Sequence, residues 1–106
     1  MAAEVEIAVL TAVFTARPER EAELAAILAR YVVLARGEPG CRNVDLLSSA
    51  TESGRFVVIE KWDTPEAARA HLDTELMAEM ATAAVPLLAE KPVIDLLDTI
   101  SAHDLM

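Results

Sequence analysis

Residues 5–15 alternate in a two-residue period. Val5, Ile7, Val9, Thr11 and Val13 fall on one face, and Ala8, Leu10, Ala12 and Phe14 fall on the other. Both faces are largely apolar, which predicts a strand buried on both sides. The period then lengthens: Leu24, Ile27, Leu28, Tyr31, Leu34 and Ala35 recur at helical spacing and predict one buried stripe. That helix is expected to open at Arg17-Pro18-Glu19-Arg20-Glu21, with proline in its first turn, and to stop at Gly37 and the Pro39-Gly40 pair. Residues 41–49 predict a second strand, and the small polar stretch 48–54 a hairpin leading into a third strand at 56–62. Thr64 is a natural N-cap with Pro65 at the first helical position, giving a short helix to about Leu72. Asp73 or Thr74 caps a further helix carrying Leu76, Met77, Met80 and Val85, which Pro86 ends or kinks. Residues 92–100 predict a fourth strand, and residues 103–106 a short tail.

The order β-α-β-β-α-β is that of the ferredoxin-like α+β folds, with an antiparallel sheet. Helices in this topology cover one sheet face, and the other is normally polar. Here the first strand is apolar on both faces and the third and fourth nearly so. A second copy covering that face, in a two-fold dimer, is the simplest solution. The alternative is a monomer whose extra helical segment folds over it. At 106 residues the chain reads as one domain over 1–106, with its core at about 5–100 and no repeat or linker.

Composition narrows the partners. The chain is 54% hydrophobic but only 4% aromatic, so aliphatic side chains fill the interior. Its net charge of -9 opposes nucleic acid and anionic membrane surfaces, which are bound through clustered cations. The single Cys41 cannot form an internal disulfide, consistent with a reducing compartment. The first six residues carry two acids and no basic segment, unlike a secretory signal. No apolar run approaches the ~20 residues of a membrane span. The expectation is a cytoplasmic protein.

Three segments carry a family resemblance: Glu38-Pro39-Gly40-Cys41 after the first helix, Glu60-Lys61-Trp62 at the end of the third strand, and Ala70-His71-Leu72 shortly after. In their order and spacing the chain resembles the antibiotic biosynthesis monooxygenases, including their quinol monooxygenase branch, over residues 5–100. The resemblance implies a dimeric α+β barrel. It also implies oxidation of an electron-rich quinol or polycyclic phenol by molecular oxygen, without metal, flavin or haem. Deprotonation makes the substrate an anion able to reduce oxygen, so the protein needs an apolar pocket, a base and groups that orient the ring.

His71 is the first catalytic candidate, since its ordinary pKa suits proton transfer near neutrality. The resemblance places it at a pocket mouth between helix and sheet. Trp62 is expected to flank an aromatic ligand or to donate its N–H, unless it only fills the end of the core. Asn43 offers an amide for a phenolate or carbonyl oxygen. Tyr31, Phe14, Met77, Met80 and Leu76 are candidates for substrate binding, with core packing as the plain alternative. Glu60, if buried, is expected to pair with an Arg or Lys across the dimer. Cys41 reads as a packing residue and His103 as solvated. Two distant histidines and one cysteine make no metal cluster, and the three glycines fall in turns, without a phosphate-cradling loop.

The chain departs from relatives in two ways. Many quinol-type members have a second histidine or an aromatic residue where Leu76 stands. Haem-degrading relatives use an asparagine, a tryptophan and a haem-ligating histidine. Aligned on Glu60-Lys61-Trp62, those places fall near Thr11, His71 and Ala81, so the ligand histidine is missing. The reading is therefore a cofactor-free monooxygenase. An isomerase moving protons without oxygen, or a non-catalytic barrel binding a small apolar molecule, remain alternatives.

Overall fold

The computed structural model describes residues 7–101. Four strands, β1 (Ala8–Thr15), β2 (Cys41–Ser48), β3 (Arg55–Trp62) and β4 (Val93–Leu97), form one antiparallel sheet in the order β2-β3-β1-β4. The helices are α1 (Glu21–Ala35), α2 (Pro65–Leu72) and α3 (Glu75–Ala84), and a 3-10 turn follows at Val85–Leu87. This is the expected ferredoxin-like α+β arrangement. No helix among the described residues is long and apolar enough to cross a membrane.

The two-residue period decides what each face meets. Ala8, Leu10, Ala12 and Phe14 of β1 lie in register with Trp62, Glu60, Val58 and Phe56 of β3, and all eight are buried. Leu24, Leu28, Tyr31, Val32 and Ala35 of α1 and Met77, Met80 and Ala84 of α3 pack onto this face. The opposite face carries Val9, Thr11 and Val13 beside Val57, Ile59 and Lys61, flanked by Leu47 and Val93, and none of these belongs to the packed clusters.

Several boundaries move from the sequence-based expectation. Pro18 lies in a turn ahead of α1 rather than in its first turn, and Arg20 stands at the N-cap without a side-chain cap. Glu19 in that turn has a positive φ of 68°, a conformation in which the chain cannot continue as helix. The buried stripe of α1 is also rotated: Val32 is inside, while Leu34 is 47% exposed. Thr64 and Thr74 cap α2 and α3 as expected, accepting from the backbone N–H groups of Ala67 and Met77. The fourth strand is shorter than expected, spanning Val93–Leu97, because it pairs only with β1 at the sheet edge. The expectations for Val5 and His103 lie outside the described residues.

Candidate functional site

At the Ala8 end of β1 the helix-facing side of the sheet changes character. Trp62 closes the end of β3, two residues beyond Glu60 and on the same face. α1 brings Tyr31 down from above, and α2 brings His71 from its last turn. Glu38 comes from the loop after α1, which is held by the Glu38 N–H bonding to Ala35 and the Cys41 N–H bonding to the Glu38 carbonyl, both at 3.1 Å. Gly40 in this loop has φ 80°, and a Cβ there would stand 2.8 Å from that of Ala67 in α2. Only glycine lets the loop approach α2 so closely.

These side chains form one hydrogen-bonded chain. Trp62 Nε1 donates to Glu60 Oε1 at 3.0 Å, and the Tyr31 hydroxyl donates to Glu60 Oε2 at 2.5 Å. The Tyr31 hydroxyl also lies 2.6 Å from His71 Nε2, while His71 Nδ1 is bonded to Glu38 Oε1. The His71 ring stacks on Trp62, with centroids 4.5 Å apart and planes at 28°. Tyr31, Glu60, Trp62 and His71 are all buried, His71 at 2% exposure, and the Glu38 side chain alone is partly open, at 20%. Among the described residues no buried side-chain nitrogen or oxygen lacks a partner. Burial first, then the charge and hydrogen bond of Glu60, raise the pKa of Tyr31 far above its ordinary value.

A groove of about 430 Å³ lies over this chain. Its walls are Glu38, Pro39, Gly40, Ala67 and Ala70, and Trp62 and His71 close its floor. A second groove of about 220 Å³ runs between α1 and α3 over Tyr31, flanked by Ile27, Leu76 and Met80. Tyr31 therefore sits beneath one groove with its hydroxyl directed to the other site.

The structure brings together His71, Trp62 and Tyr31 from the sequence-based candidates, and places Leu76 and Met80 on the neighbouring groove. Phe14 does not join them. It packs in the aliphatic core against the opposite end of the sheet, six residues or roughly 20 Å along β1 from Ala8. Met77 is likewise core. Asn43 is exposed beyond an irregularity at the start of β2, bonded to Asp45, and its register with Lys61 puts it on the opposite sheet face. His71 is sealed under the groove rather than at its mouth, a position that Glu38 occupies instead. Glu60 needs no Arg or Lys from another chain, because Tyr31 and Trp62 occupy both of its oxygens. Glu38 was missed as a candidate, although it stands in the Glu38-Pro39-Gly40 segment that carries the family resemblance and directly beside the glycine-tight contact with α2. Among the described residues no group of three or more His, Cys, Asp or Glu is arranged to hold a metal ion.

Comparison with known proteins agrees with this architecture. The family model described as antibiotic biosynthesis monooxygenase matches residues 7–83. A Pseudomonas aeruginosa protein of solved structure is 28% identical, with 93% of this chain and 100% of that one covered and a TM-score of 0.81. A Caulobacter crescentus protein, named provisionally as an antibiotic biosynthesis monooxygenase, is 27% identical over 91% of this chain and 92% of its own, with a TM-score of 0.81. A Mycobacterium tuberculosis protein at 24% identity shares the fold, with a TM-score of 0.85 over 92% and 99% of the two chains. No curated protein matches the chain. The family match spans most of the chain, including the loop, strand and helix that build the buried network, and the chain belongs to the antibiotic biosynthesis monooxygenase family.

Proposed function

We propose that the protein is a cofactor-independent monooxygenase that oxidises a quinol or polycyclic phenol with molecular oxygen in the cytoplasm. The observation that carries this reading is the Glu38–His71 pair, one member open to an apolar groove and the other buried against Tyr31. A planar phenol in the groove meets Glu38 at its hydroxyl, and the pair accepts the proton. The phenolate passes one electron to oxygen, and the resulting radical and superoxide combine at carbon. Protonation gives a hydroperoxide on a ring carbon that still bears hydrogen. Loss of that C–H proton with cleavage of the O–O bond releases water and leaves one oxygen as a carbonyl. The substrate thus supplies all four electrons that reduce the oxygen molecule. Pro39, Ala67 and Ala70 give the bound ring apolar walls.

Oxygen consumption by the metal-stripped protein against hydroquinones, naphthoquinols and anthrones tests this directly. We expect uptake that survives a chelator and falls about 10²- to 10⁴-fold in His71→Ala. Full activity in that variant removes His71 from the reading. Turnover that continues under nitrogen would instead identify a proton-transfer isomerase.

We also propose that two copies pair through the open sheet face, where Val9, Val13, Val57 and Ile59 form an apolar strip. Ile59→Asp places a charge in the middle of that strip. Sedimentation over a range of concentrations should give a dimer for the native chain and a monomer for the variant. A native chain that stays monomeric at high concentration defeats the pairing.

A further inference from the structure

The reading above uses Glu38 and His71 and leaves a buried acid, Glu60, without a task. Three hydrogen bonds run in series: Glu38 to His71 Nδ1, His71 Nε2 to the Tyr31 hydroxyl, and that hydroxyl to Glu60 Oε2. His71 Nε2 also lies 3.5 Å from Glu60 Oε1, the oxygen that Trp62 Nε1 holds, too far for a direct proton transfer. Each bond in the series needs one proton. Tyr31 and a neutral imidazole supply two, so the chain holds one more. With fewer, one buried contact would set lone pair against lone pair. The extra proton has three places, on Glu38, on His71 or on Glu60, and none requires a heavy atom to move. Trp62 Nε1 can only donate, so it always points its proton at Glu60 Oε1.

Resting on the proposed oxidation, we propose that Tyr31 and Glu60 form the inner half of a proton relay serving the groove. When the substrate hydroxyl gives its proton to Glu38, the His71 Nε2–H proton passes to the Tyr31 oxygen. The former Tyr31 proton passes to Glu60. One substrate O–H bond breaks and one forms at Glu38; one N–H bond breaks and one O–H bond forms at Glu60. With the extra proton on His71, one of its three places, the step begins with Glu38 and Glu60 as anions and His71 as a cation. After it all three are neutral and the negative charge sits on the substrate, where it is needed to reduce oxygen. The exchange removes the charges of buried Glu60 and His71 and of the partly open Glu38 and leaves one on the substrate, which the low-dielectric interior favours. Tyr31 conducts without itself ionising, since its burial and the adjoining carboxylates disfavour tyrosinate. The groups facing the relay are Glu38 from the loop, Tyr31 from α1, Glu60 and Trp62 from β3, His71 from α2 and Cys41 from β2. The Cys41 thiol is pushed up by burial and the two acids, with Arg36 opposing. Tyr31 and Glu60 are positioning residues, because they act through His71.

Glu60→Gln tests the relay while keeping its shape. The amide oxygen accepts from Trp62, the NH₂ donates to Tyr31, and Tyr31 donates to His71 Nε2, which reproduces the protonated state of Glu60. Nitrogen NMR of the His71 ring, with His103→Ala removing the other histidine, reads the relay without substrate. In Glu60→Gln, where the amide makes Tyr31 donate to His71, Nε2 should read as a hydrogen-bond acceptor under conditions in which it carries a proton in the native protein. With 1,4-naphthoquinol as substrate, kcat should fall roughly tenfold or more in both Glu60→Gln and Tyr31→Phe, with KM within about twofold. The double variant should lose no more than either single one, as expected of members of one chain. An Nε2 that reads the same in Glu60→Gln as in the native protein overturns the relay, as do losses that multiply in the double variant. The expected change at Nε2 without oxygen uptake by the native protein keeps the relay and overturns the monooxygenase reading.

Discussion

The two ends of the helix–sheet layer are built from the same strands and the same helix, yet by different rules. Toward the Phe14 end, Phe14, Phe56, Leu24, Leu28 and Leu88 belong to one aliphatic and aromatic cluster, with Leu88 bridged to Ala16 just beyond β1. Toward the Ala8 end, small residues on β1 and α2, Ala8 and Ala68, leave room for Trp62, His71, Tyr31 and Glu60. The first end needs only volume and shape, and tolerates hydrophobic exchange at modest cost. The second must satisfy every polar atom, and leaving one partner behind exposes a buried group to the full cost of desolvation. Apolar packing is concentrated at one end and hydrogen-bonded polar groups at the other, with α1 spanning both through Leu24 and Tyr31.

The division can be broken most forcefully from the aliphatic end. Leu24 is fully buried there, two turns of helix before Tyr31. Leu24→Ala should cost about 2–5 kcal/mol of stability, read as a fall in the urea midpoint. The His71 ring titration of the folded variant should stay where it is in the native chain. If that titration moves as well, the two ends are one cooperative unit and the comparison fails.

Much of the fold was legible because period and punctuation agreed. The double-faced alternation of β1, the Thr64-Pro65 start of α2 and the Thr74 cap of α3 each left a local chemical signature. The start of α1 was not legible, because Pro18 is as acceptable in a turn as in a first helical turn, and a positive φ at Glu19 has no sequence signal. The site was legible in part. His71 and Trp62 were found by residue type, and Tyr31 by its place in the α1 stripe. Glu38 and Glu60 become functional candidates only when a loop, a strand and two helices meet, and no spacing along the chain records that meeting. Asn43 failed for the opposite reason: residue type suggested a role, and the alternation of β2 put the side chain on the other face.

The smaller test uses Tyr31, the sole tyrosine, as its own reporter at alkaline pH. Its folded-state pKa is raised, first by burial and then by Glu60, so the folded chain resists an ionisation that the unfolded chain undergoes near pH ~10. A raised pKa contributes stability that is present below the unfolded value and is lost as pH rises through and beyond it. The Cys41 thiol, also raised mainly by burial, acts in the same direction from about pH 8.5 upward. Below pH ~9 the native chain should therefore be more stable than Tyr31→Phe by about 1–3 kcal/mol, since the variant leaves Glu60 and His71 each short of a partner. Above pH ~10 that gap should close, because phenylalanine has no proton to lose and the variant retains only the Cys41 dependence. Denaturation midpoints of the two proteins across this range measure the gap, and tyrosinate absorbance should appear only together with unfolding. Tyrosinate that forms near pH ~10 in a chain still folded would mean that the hydroxyl is open to solvent. The polar end would then be a wet pocket rather than a sealed chain of proton-sharing groups.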